Sequence, residues 1–530
     1  MKIRRLLGAS VFASVAAASP LAAKTLVYCS EGSPENFTPA LNTTGTSFDA
    51  ARPVYDQLVI FERGTTKVVP GLAESWTVAD GGKTITFKLR KGVKFHSGVN
   101  NFKPTRDFNA DDVIWTFERQ WKAEHSYHKV SGGKYDYFAD MDMAKLLESL
   151  TKTDDYTVVM KLKEPTAPIM ANLAMDFATI HSKEYAEHLE KANKKEQFDQ
   201  FPVGTGPFSF VMYQKDAVIR YKKNPAYWGE KALVDDLVYA ITADPTSRYS
   251  KLKAGECHYA IAPRPADLPE IRKDAKLQVI SQPGLNIAYW AFNAQKPPFD
   301  KKEVRQALNY AIDKDAIIRD VYIGAGQAAK NFIPPTLWSY NEKTVDYKYD
   351  VAKAKELLAK GGVTGPLEID LWYMPVQRPY NPNAKRIAEM MQADLAKVGV
   401  TAKLVTYEWG EYRKRAQNGD HQTAQLGWTG DNGDPDNFFF LRGCSDGKPL
   451  NQNITKWCNK EFDELLVAAR KEADVAKRTA AYEKMQLILK EEAPDLTIAH
   501  SIVNDAAAAN VTGYKMAPLG SHHFKGVDLK

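Results

Sequence analysis

The sequence predicts an α/β protein with two lobes, and three observations support that prediction. A chain of 530 residues is too long for one hydrophobic core, so more than one lobe is expected. The residues before Pro283-Gly284 show mostly strand and loop patterns, whereas those after it alternate between helix and strand. A strand pattern at 493–501 then leads out of this second region. The second lobe, 285–502, is therefore predicted to be an insertion, with two chain crossings between the lobes.

The elements of the first lobe are predicted from alternating patterns and turn residues. Alternation of apolar and polar residues predicts half-buried strands, and Asn109 followed by two acids predicts the capped start of a helix. Gly204 and Gly206 predict a structural turn, because their segment lacks the lysine of a phosphate loop. The expected elements are strands 25–28, 84–90 and 156–163, a turn and strand at 91–96, and helices near 48–58 and from 109 to 117.

The second lobe shows clearer periodicity. Apolar residues that recur every three or four positions predict amphipathic helices, and short β-branched and aromatic runs between them predict strands. The expected strands are 286–292, 367–373, 400–407 and 424–428, and the expected helices are 304–318, 383–398, 461–469 and 475–491. The tail from 503 to Lys530 returns to the first lobe and has a strand-like pattern.

Residues 1–23 are predicted to be a secretory signal peptide that is cleaved before Lys24. Three basic residues precede an apolar, alanine-rich stretch from Leu6 to Ala18, and small residues follow it. The stretch is shorter than the ~20 residues that a membrane span requires. Tyr28 precedes the first cysteine, Cys29, and breaks the small-residue pattern of a lipoprotein signal. We therefore expect a protein that is free in the periplasm and carries no lipid anchor.

Composition and motifs argue against several functional classes. Loss of the three basic residues of the signal peptide lowers the formal net charge from +6 to +3, and no basic run accompanies it, so nucleic acid is not an expected partner. Neither Gly-x-Ser-x-Gly nor His-Glu-x-x-His occurs. The histidines are scattered, and His522-His523 is expected at the surface. No catalytic residues, metal site or cofactor are therefore predicted.

The four cysteines predict two disulfides in an oxidising compartment. Cys444 and Cys458 lie 14 positions apart and are expected to close a local loop, which leaves Cys29 to pair with Cys257. The alternative is that the cysteines are free buried thiols. Metal ligation is disfavoured because no Cys-x-x-Cys spacing occurs.

A loop rich in acids, residues 428–437, follows the last predicted strand of the second lobe. Its sequence WTGDNGDPDN holds three aspartates and two glycines. A run of such turn-forming residues directly after a strand is typical of a binding loop. Calcium is an alternative ligand for this loop. An EF-hand loop that begins at Asp431 would place Gly433 and Pro435 at ligand positions and lacks the closing glutamate. The loop therefore fits a charged organic guest better than calcium.

Eight segments of the chain have family-like sequences, which are 71–76, 89–96, 109–117, 202–208, 304–315, 374–383, 406–412 and 428–437. Together they resemble the peptide-binding family of ABC-transporter substrate-binding proteins. The likeness covers essentially the whole chain after residue 23. It implies a two-lobed periplasmic binding protein of type II, cluster C, with an extra subdomain at about 55–204 in the first lobe, which is 24–284 plus 503–530. It also implies the pairs Cys29–Cys257 and Cys444–Cys458.

The resemblance implies a binding site for a dipeptide made from three segments. Asp431 matches the acid that takes the peptide ammonium, and Arg378 matches the arginine that takes the carboxylate. Thr44 stands where the family more often has serine, and it keeps the hydroxyl. From the residues alone, the polar turn 42–47 fits a carboxylate site at a helix start, but plain N-capping explains it better. The implied site residues are Thr43, Thr44, Gly45, Arg378, Pro379, Tyr380, Trp428, Thr429, Gly430 and Asp431.

The resemblance also implies partners. A monomer would deliver dipeptides to an inner-membrane ABC permease, and a chemoreceptor is a further partner that the family allows. The rival ligands within the family are longer peptides, glutathione, nickel and haem. Asp434 and Asp436 are expected to form turns and not to contact the guest.

Overall fold

One long strand joins the two halves of a twelve-stranded β-sheet, and a lobe is built around each half. The halves are called the first-lobe sheet and the second-lobe sheet below. The computed structural model describes residues 23–530, so the predicted signal peptide lies outside the described residues except for Ala23. The shared strand, Asp495–Ala508, is called the crossing strand below. Its first half pairs with Asn286–Phe292, and its second half pairs with Leu277–Pro283 and Tyr259–Ile261.

Each sheet draws on a different part of the chain. The first-lobe sheet contains Thr25–Ser30, Phe208–Gln214, Val218–Lys223, Asp236–Ile241, Tyr259–Ile261 and Leu277–Pro283. The second-lobe sheet contains Asn286–Phe292, Gly326–Ala328, Leu367–Trp372, Val400–Val405 and Thr423–Thr429. A separate antiparallel sheet consists of Ala73–Ala79, Thr84–Leu89, Leu147–Asp154 and Thr157–Leu162. Short two-stranded pairs are Val59–Phe61 with Val68–Pro70, Cys444–Ser445 with Lys448–Pro449, and Val511–Thr512 with Asp528–Leu529.

Helices cover both lobes. Before the crossing at Pro283 they are Gly45–Ala51, Ala110–Trp121, Asp136–Asp140, Met143–Leu146, Ile169–Leu173, Lys183–Lys191, Pro245–Ala254 and Leu268–Lys273. After it they are Lys302–Ala311, Lys314–Ile317, Val351–Lys360, Ala384–Lys397, Trp409–Asn418, Asp436–Phe439, Lys460–Lys471 and Val475–Glu492. No helix within residues 23–530 is both long and apolar enough to cross a membrane.

The two-lobed α/β architecture is confirmed, and strand pairing shows where the chain crosses. Gly284 donates its amide to the carbonyl of Ser501 at 3.1 Å, so the two crossing segments lie side by side. On this pairing we propose lobe boundaries at 24–284 plus 503–530 and at 285–502. The separate sheet and its helices correspond to the proposed extra subdomain at about 55–204.

Local sequence signals account for several elements. Asn109 accepts from the Asp111 amide, and Asp112 accepts from the Asn109 amide, so the predicted capped helix start is confirmed as a capping box. Asn383 and Asp474 likewise cap the helices that follow them. Every residue of Asn286–Phe292 is buried, which suits an apolar strand covered on both faces. Both predicted disulfides, Cys29–Cys257 and Cys444–Cys458, are present.

Two first-lobe predictions are wrong. The helix predicted near 48–58 is Gly45–Ala51, because Pro53 has no amide to continue the ladder. No strand forms at 91–96, because both edges of Thr84–Leu89 are already paired, with Ala73–Ala79 and Thr157–Leu162. His96 instead lies in a loop, where its ring hydrogen-bonds the carbonyl of Gly206 at 2.9 Å.

Two later predictions also need correction. The helix predicted at 304–318 is interrupted after Ala311, and Asp313 caps a new helix by accepting from the Ala316 amide. The tail belongs to the crossing strand as far as Ala508, and beyond it the tail is mostly loop with only the short strands Val511–Thr512 and Asp528–Leu529. Within it His522 is buried, and not at the surface as predicted, because its two ring nitrogens face the carboxylates of Asp49 and Asp505. These carboxylates raise the pKa of His522 well above its usual value against the opposing effect of burial.

Candidate functional site

A cavity lies between the two lobes and is lined by residues of both. Nine of the ten predicted site residues line it, which are Thr43, Thr44, Gly45, Arg378, Pro379, Tyr380, Trp428, Thr429 and Asp431. Gly430 does not line the cavity. Its amide points away and donates to the carbonyl of Leu285 at 2.7 Å, which fixes the path of the chain between Thr429 and Asp431.

Asp431 is held at one end of the cavity by its own loop. The strand Thr423–Thr429 pairs with Asn286–Phe292 up to the Thr429–Asn286 pair, and the loop then turns towards the first lobe. The side-chain oxygen of Asn437 accepts from the Asp431 amide at 2.8 Å and from Trp428 Nε1 at 3.1 Å. One asparagine therefore sets the direction of both residues.

The carboxyl of Asp431 is in an environment that disfavours its charge. Burial, with a smaller contribution from the nearby Asp176, raises its pKa to about 7. Hydrogen bonds from Tyr137 and Asn437 and the charge of Arg52 act in the opposite direction. The Tyr137 hydroxyl donates to Asp431 Oδ2 at 2.8 Å. A cationic group placed against this carboxylate would relieve the cost of burying its charge.

Asp434 and Asp436, the other acids of the loop, are used inside the second lobe. Asp434 accepts from the Asp436 amide at 3.0 Å, which is the predicted turn. Each also forms a buried ion pair, Asp434 with Arg478 at 2.7 Å and Asp436 with Arg470 at 2.6 Å. Both carboxylates are thus engaged. Across the described residues 23–530 no cluster of three or more His, Cys, Asp or Glu side chains is arranged to hold a metal ion.

Arg378 contributes the opposite charge to the same cavity. It lies in a tight turn, in which Arg378 and Asn381 exchange backbone hydrogen bonds of 3.1 and 2.9 Å. The guanidinium carbon lies 4.8 Å from the centre of the Trp409 ring, and one nitrogen is 3.4 Å from Glu31. Stacking and the ion pair orient the planar guanidinium, and its remaining donors are available for a carboxylate.

Pro379 and Tyr380 fix the turn that carries Arg378. The carbonyl of Pro379 accepts from Ser501 Oγ, and that of Tyr380 accepts from Tyr322 Oη, both at 2.7 Å. The Tyr380 ring lies against Gly427, where an added Cβ would collide with it. The arginine is therefore mounted on the second-lobe sheet close to the crossing strand.

Thr43, Thr44 and Gly45 form the first-lobe wall of the cavity. Thr44 occupies the N-cap position of Gly45–Ala51, but its side chain does not cap the helix. The N-cap hypothesis favoured from the residues alone is therefore wrong for the side chains. Thr43 Oγ1 accepts from Arg413 of the second lobe, and Thr44 Oγ1 donates to Ser47 Oγ at 3.2 Å.

Family comparison agrees with this two-lobed cleft. The family model described as "Bacterial extracellular solute-binding proteins, family 5 Middle" matches residues 67–449. The chain belongs to this family.

Individual relatives are similar over nearly their whole length. The dipeptide-binding protein of Escherichia coli (strain K12) is 53% identical over 525 residues, covering 99% of this chain and 98% of the relative. The haem-binding protein A of Haemophilus influenzae is 48% identical over 507 residues, covering 95% of this chain and 92% of the relative. The crystal structure of a dipeptide-binding protein from Pseudoalteromonas sp. SM9913 in complex with Met-Leu is 38% identical. Its TM-score is 0.92, and the match covers 96% of this chain and 100% of that chain.

Several cavity residues of this solute-binding protein are not predicted from the sequence. Glu31, Arg52, Tyr137, Trp409 and Arg413 all line the cavity. Trp409 falls in the segment 406–412 that carried part of the family resemblance, and Arg413 follows it directly, so both could have been found. The other three come from distant parts of the first lobe and have no local motif.

The lobes of this solute-binding protein are in contact around the cavity through buried polar groups. Asp140 of the first lobe accepts from the backbone amides of Asn451 and Gln452 at 3.0 and 3.1 Å. Asn432 donates to Asn172 at 3.0 Å. Gln452 also lines the cavity, so the Asp140 contact joins lobe closure directly to the site.

Proposed function

We propose that this solute-binding protein captures dipeptides and delivers them to an ABC permease for uptake. One observation carries the proposal, namely that a carboxyl group, Asp431, and a guanidinium, Arg378, line one interlobe cavity. At neutral pH a dipeptide is a zwitterion, with an ammonium at one end and a carboxylate at the other. The two side chains are complementary to these two ends.

Asp431 is proposed to receive the ammonium and Arg378 the carboxylate. The planar guanidinium can donate two parallel hydrogen bonds to a carboxylate. Two extended residues span at most about 7 Å, so an acid and an arginine at fixed positions select for length as well as charge. Glu31 pairs with Arg378 at 3.4 Å, and an incoming carboxylate would compete with it.

The remaining predicted residues are proposed to form the walls of the site. Trp428 and Tyr380 supply apolar surface to the cavity, Pro379 and Gly430 hold the turns, and Thr43, Thr44, Gly45 and Thr429 border the ligand backbone. Where the cavity exceeds a small guest, water can bridge the polar groups at little free-energy cost. Recognition of the two ends in such a cavity would give a binder of many dipeptides.

The relatives support this ligand class. Two of the similar proteins are dipeptide-binding proteins, and one of them holds Met-Leu. The relative that binds haem makes haem the second candidate. The pairing of a cationic and an anionic side chain in one cavity favours a zwitterion over haem.

Location and partners complete the proposal. Cleavage after Ala23 would release the protein, without a lipid anchor, into the periplasm. It would act there as a monomer that presents its closed lobes to the permease, and a chemoreceptor could read the same surface.

A thermal-shift screen of the mature protein tests the ligand class. Alanyl-alanine, trialanine, glutathione and haem would each be added to protein stripped of bound ligand by partial unfolding and refolding. We expect alanyl-alanine to give the largest upward shift, since a ligand that binds only the folded state stabilises it. A shift with haem or glutathione alone would overturn the proposal.

A further inference from the structure

A second cavity adjoins the first one on its first-lobe side. Arg52, Asp431 and Leu519 line both cavities and so form the boundary between them. The second cavity lies between residues 52–65 and the tail residues 517–525. It is called the tail cavity below.

Cationic and neutral donors without partners face the tail cavity. His523 and Lys525 line it and are partly buried. Within residues 23–530, neither side chain has a hydrogen-bond or ion-pair partner. Arg63 also lines the cavity. Its guanidinium reaches Glu230 at 3.3 Å and the carbonyl of Gly513 at 2.6 Å, but its buried Nε has no partner in the described part of the chain.

The acids that line the tail cavity are already engaged or lie at its surface. Asp431 accepts from the Tyr137 hydroxyl and is the proposed partner of the ligand ammonium. Asp56 accepts hydrogen bonds from the side chains of Thr205, Tyr227 and Trp228. Asp176 pairs with Arg52 at 2.8 Å. Glu62 is exposed to solvent. The tail cavity therefore has more donors and cations than it has acceptors free to meet them.

The electrostatics of the two tail residues agree with this excess. Burial lowers the pKa of His523 well below its usual value, and the charges of Arg52 and Lys525 lower it further. Burial also lowers the pKa of Lys525, and Arg63 adds to that effect, whereas Asp56 and Glu230 oppose it. An anion in the cavity would favour the charged form of both groups.

We propose that the tail cavity receives the side chain of the first residue of the dipeptide and that His523 and Lys525 favour glutamate there. The inference rests on the proposed function. With the ammonium on Asp431, the first side chain leaves the same α-carbon at the place where the tail cavity begins. Glutamate is long enough to enter the cavity and would supply the missing acceptor. A lysine in the same position would face Arg52, Arg63 and Lys525 and be repelled, and repulsion of this kind contributes to specificity.

Charge reversal at Lys525 tests the inference. Calorimetry would measure the Kd values of Glu-Ala, Gln-Ala, Lys-Ala and Ala-Ala for the stripped mature protein and for Lys525→Glu. We expect the parent to bind Glu-Ala about tenfold more tightly than Lys-Ala, and Lys525→Glu to reverse that order, with Ala-Ala changed less than about twofold. Lys515→Glu is the matched control, since Lys515 is an exposed lysine of the same tail that does not line either cavity.

The outcomes separate this inference from the proposed function. Equal affinity for Glu-Ala and Lys-Ala in the parent, or an equal change for all four dipeptides in Lys525→Glu, would overturn the inference. The same reversal in Lys515→Glu would also overturn it, because the effect would then be one of net charge. If Ala-Ala binds normally in these cases, the proposed function stands. Failure of every dipeptide to bind the parent would instead overturn the proposed function.

Discussion

The Tyr137 hydroxyl donates a hydrogen bond across the cleft to Asp431 Oδ2 at 2.8 Å. Tyr137 belongs to the helix Asp136–Asp140 of the first lobe, and Asp431 lies two residues after the second-lobe strand Thr423–Thr429. The proposed ammonium acceptor is therefore oriented by the lobe that closes over it. The same helix carries Asp140, which contacts the second lobe through two backbone amides. Closure and ligand recognition thus share one short helix.

Tyr137→Phe should weaken dipeptide binding in a way that depends on pH. The hydroxyl stabilises the ionised carboxylate, so its removal raises the pKa of Asp431 further. At pH 7 we expect the Kd to rise about fivefold, which corresponds to about 1 kcal/mol for one hydrogen bond. The loss should shrink at pH 8, where Asp431 ionises in both proteins. Calorimetry at the two pH values measures this, and an equal loss at both would argue against the proposed role of the hydroxyl.

Dipeptide affinity should fall as the pH drops below 7. Burial raises the pKa of Asp431 to about 7, so below that pH the carboxyl is mostly neutral and cannot pair with an ammonium. The cation favours the ionised form, and the Kd should therefore rise up to about tenfold per pH unit until the pKa of the complex is reached. Above about pH 8 the ligand's own amino group loses its proton, and affinity should fall again. A Kd that stays constant from pH 5 to 7 would contradict this account.

Asp431→Asn should abolish binding and stabilise the protein. The unfolded carboxyl titrates near 3.8, and the folded one near 7. Between these values the folded protein binds more protons, so its stability decreases as the pH rises through this window. The asparagine variant lacks that penalty, and at pH 8 we expect about 2 kcal/mol of extra stability without ligand. Denaturant unfolding of both proteins at pH 8 and pH 4 checks this.

The control for that change is Asp315→Asn, since Asp315 is exposed in a helix of the second lobe. It should alter neither binding nor stability. The difference in stability between Asp431→Asn and the parent should disappear near pH 4. If Asp431→Asn binds dipeptides with unchanged affinity, the role assigned to Asp431 is refuted.

Asp140→Ala should favour the open arrangement of the lobes. Its carboxylate is buried and accepts from two amides of the second lobe, and the variant leaves both donors without that acceptor when the lobes close. An unsatisfied buried donor costs about 1–3 kcal/mol, so we expect the Kd for a dipeptide to rise about tenfold. Small-angle scattering without ligand should show a larger radius of gyration than for the parent.

Asp446→Ala is the matched control for the Asp140 variant. Asp446 of the second lobe pairs with Lys145 of the first lobe at 3.2 Å, but both side chains are largely exposed. Exposed ion pairs contribute about 0–1 kcal/mol, so binding should change little. Equal losses of dipeptide affinity in the two variants would mean that burial of the Asp140 contact does not determine its contribution to lobe closure.

Much of the second lobe could be predicted from local patterns. The helices Ala384–Lys397, Lys460–Lys471 and Val475–Glu492 carry capping residues and amphipathic or long helical runs, so their bounds are close to those predicted. The tail could not be predicted in this way. His522 is polar, and only its two carboxylate partners from distant segments, Asp49 and Asp505, make its burial favourable.

The site shows the same division between local and distant information. Only the family resemblance indicates Asp431 and Arg378, since the residue types alone do not distinguish among the three aspartates of the loop. Tyr137 lies 294 positions from Asp431, and Arg413 lies 370 positions from Thr43. No local sequence pattern predicts a contact that forms only when the two lobes close. Such residues become visible from the folded structure.

Asp431 and Arg378 are proposed to hold the two charged ends of a dipeptide. Calorimetry with Ala-Ala, N-acetyl-Ala-Ala and Ala-Ala amide tests it most directly, on the parent and on Arg378→Ala. In the parent each blocked end should weaken binding by about 3 kcal/mol, which is the order of cost for one member of a buried charge pair. In Arg378→Ala the amide should bind as well as Ala-Ala, because the partner of the carboxylate is already absent. Blocked dipeptides that bind the parent as tightly as Ala-Ala would contradict the claim.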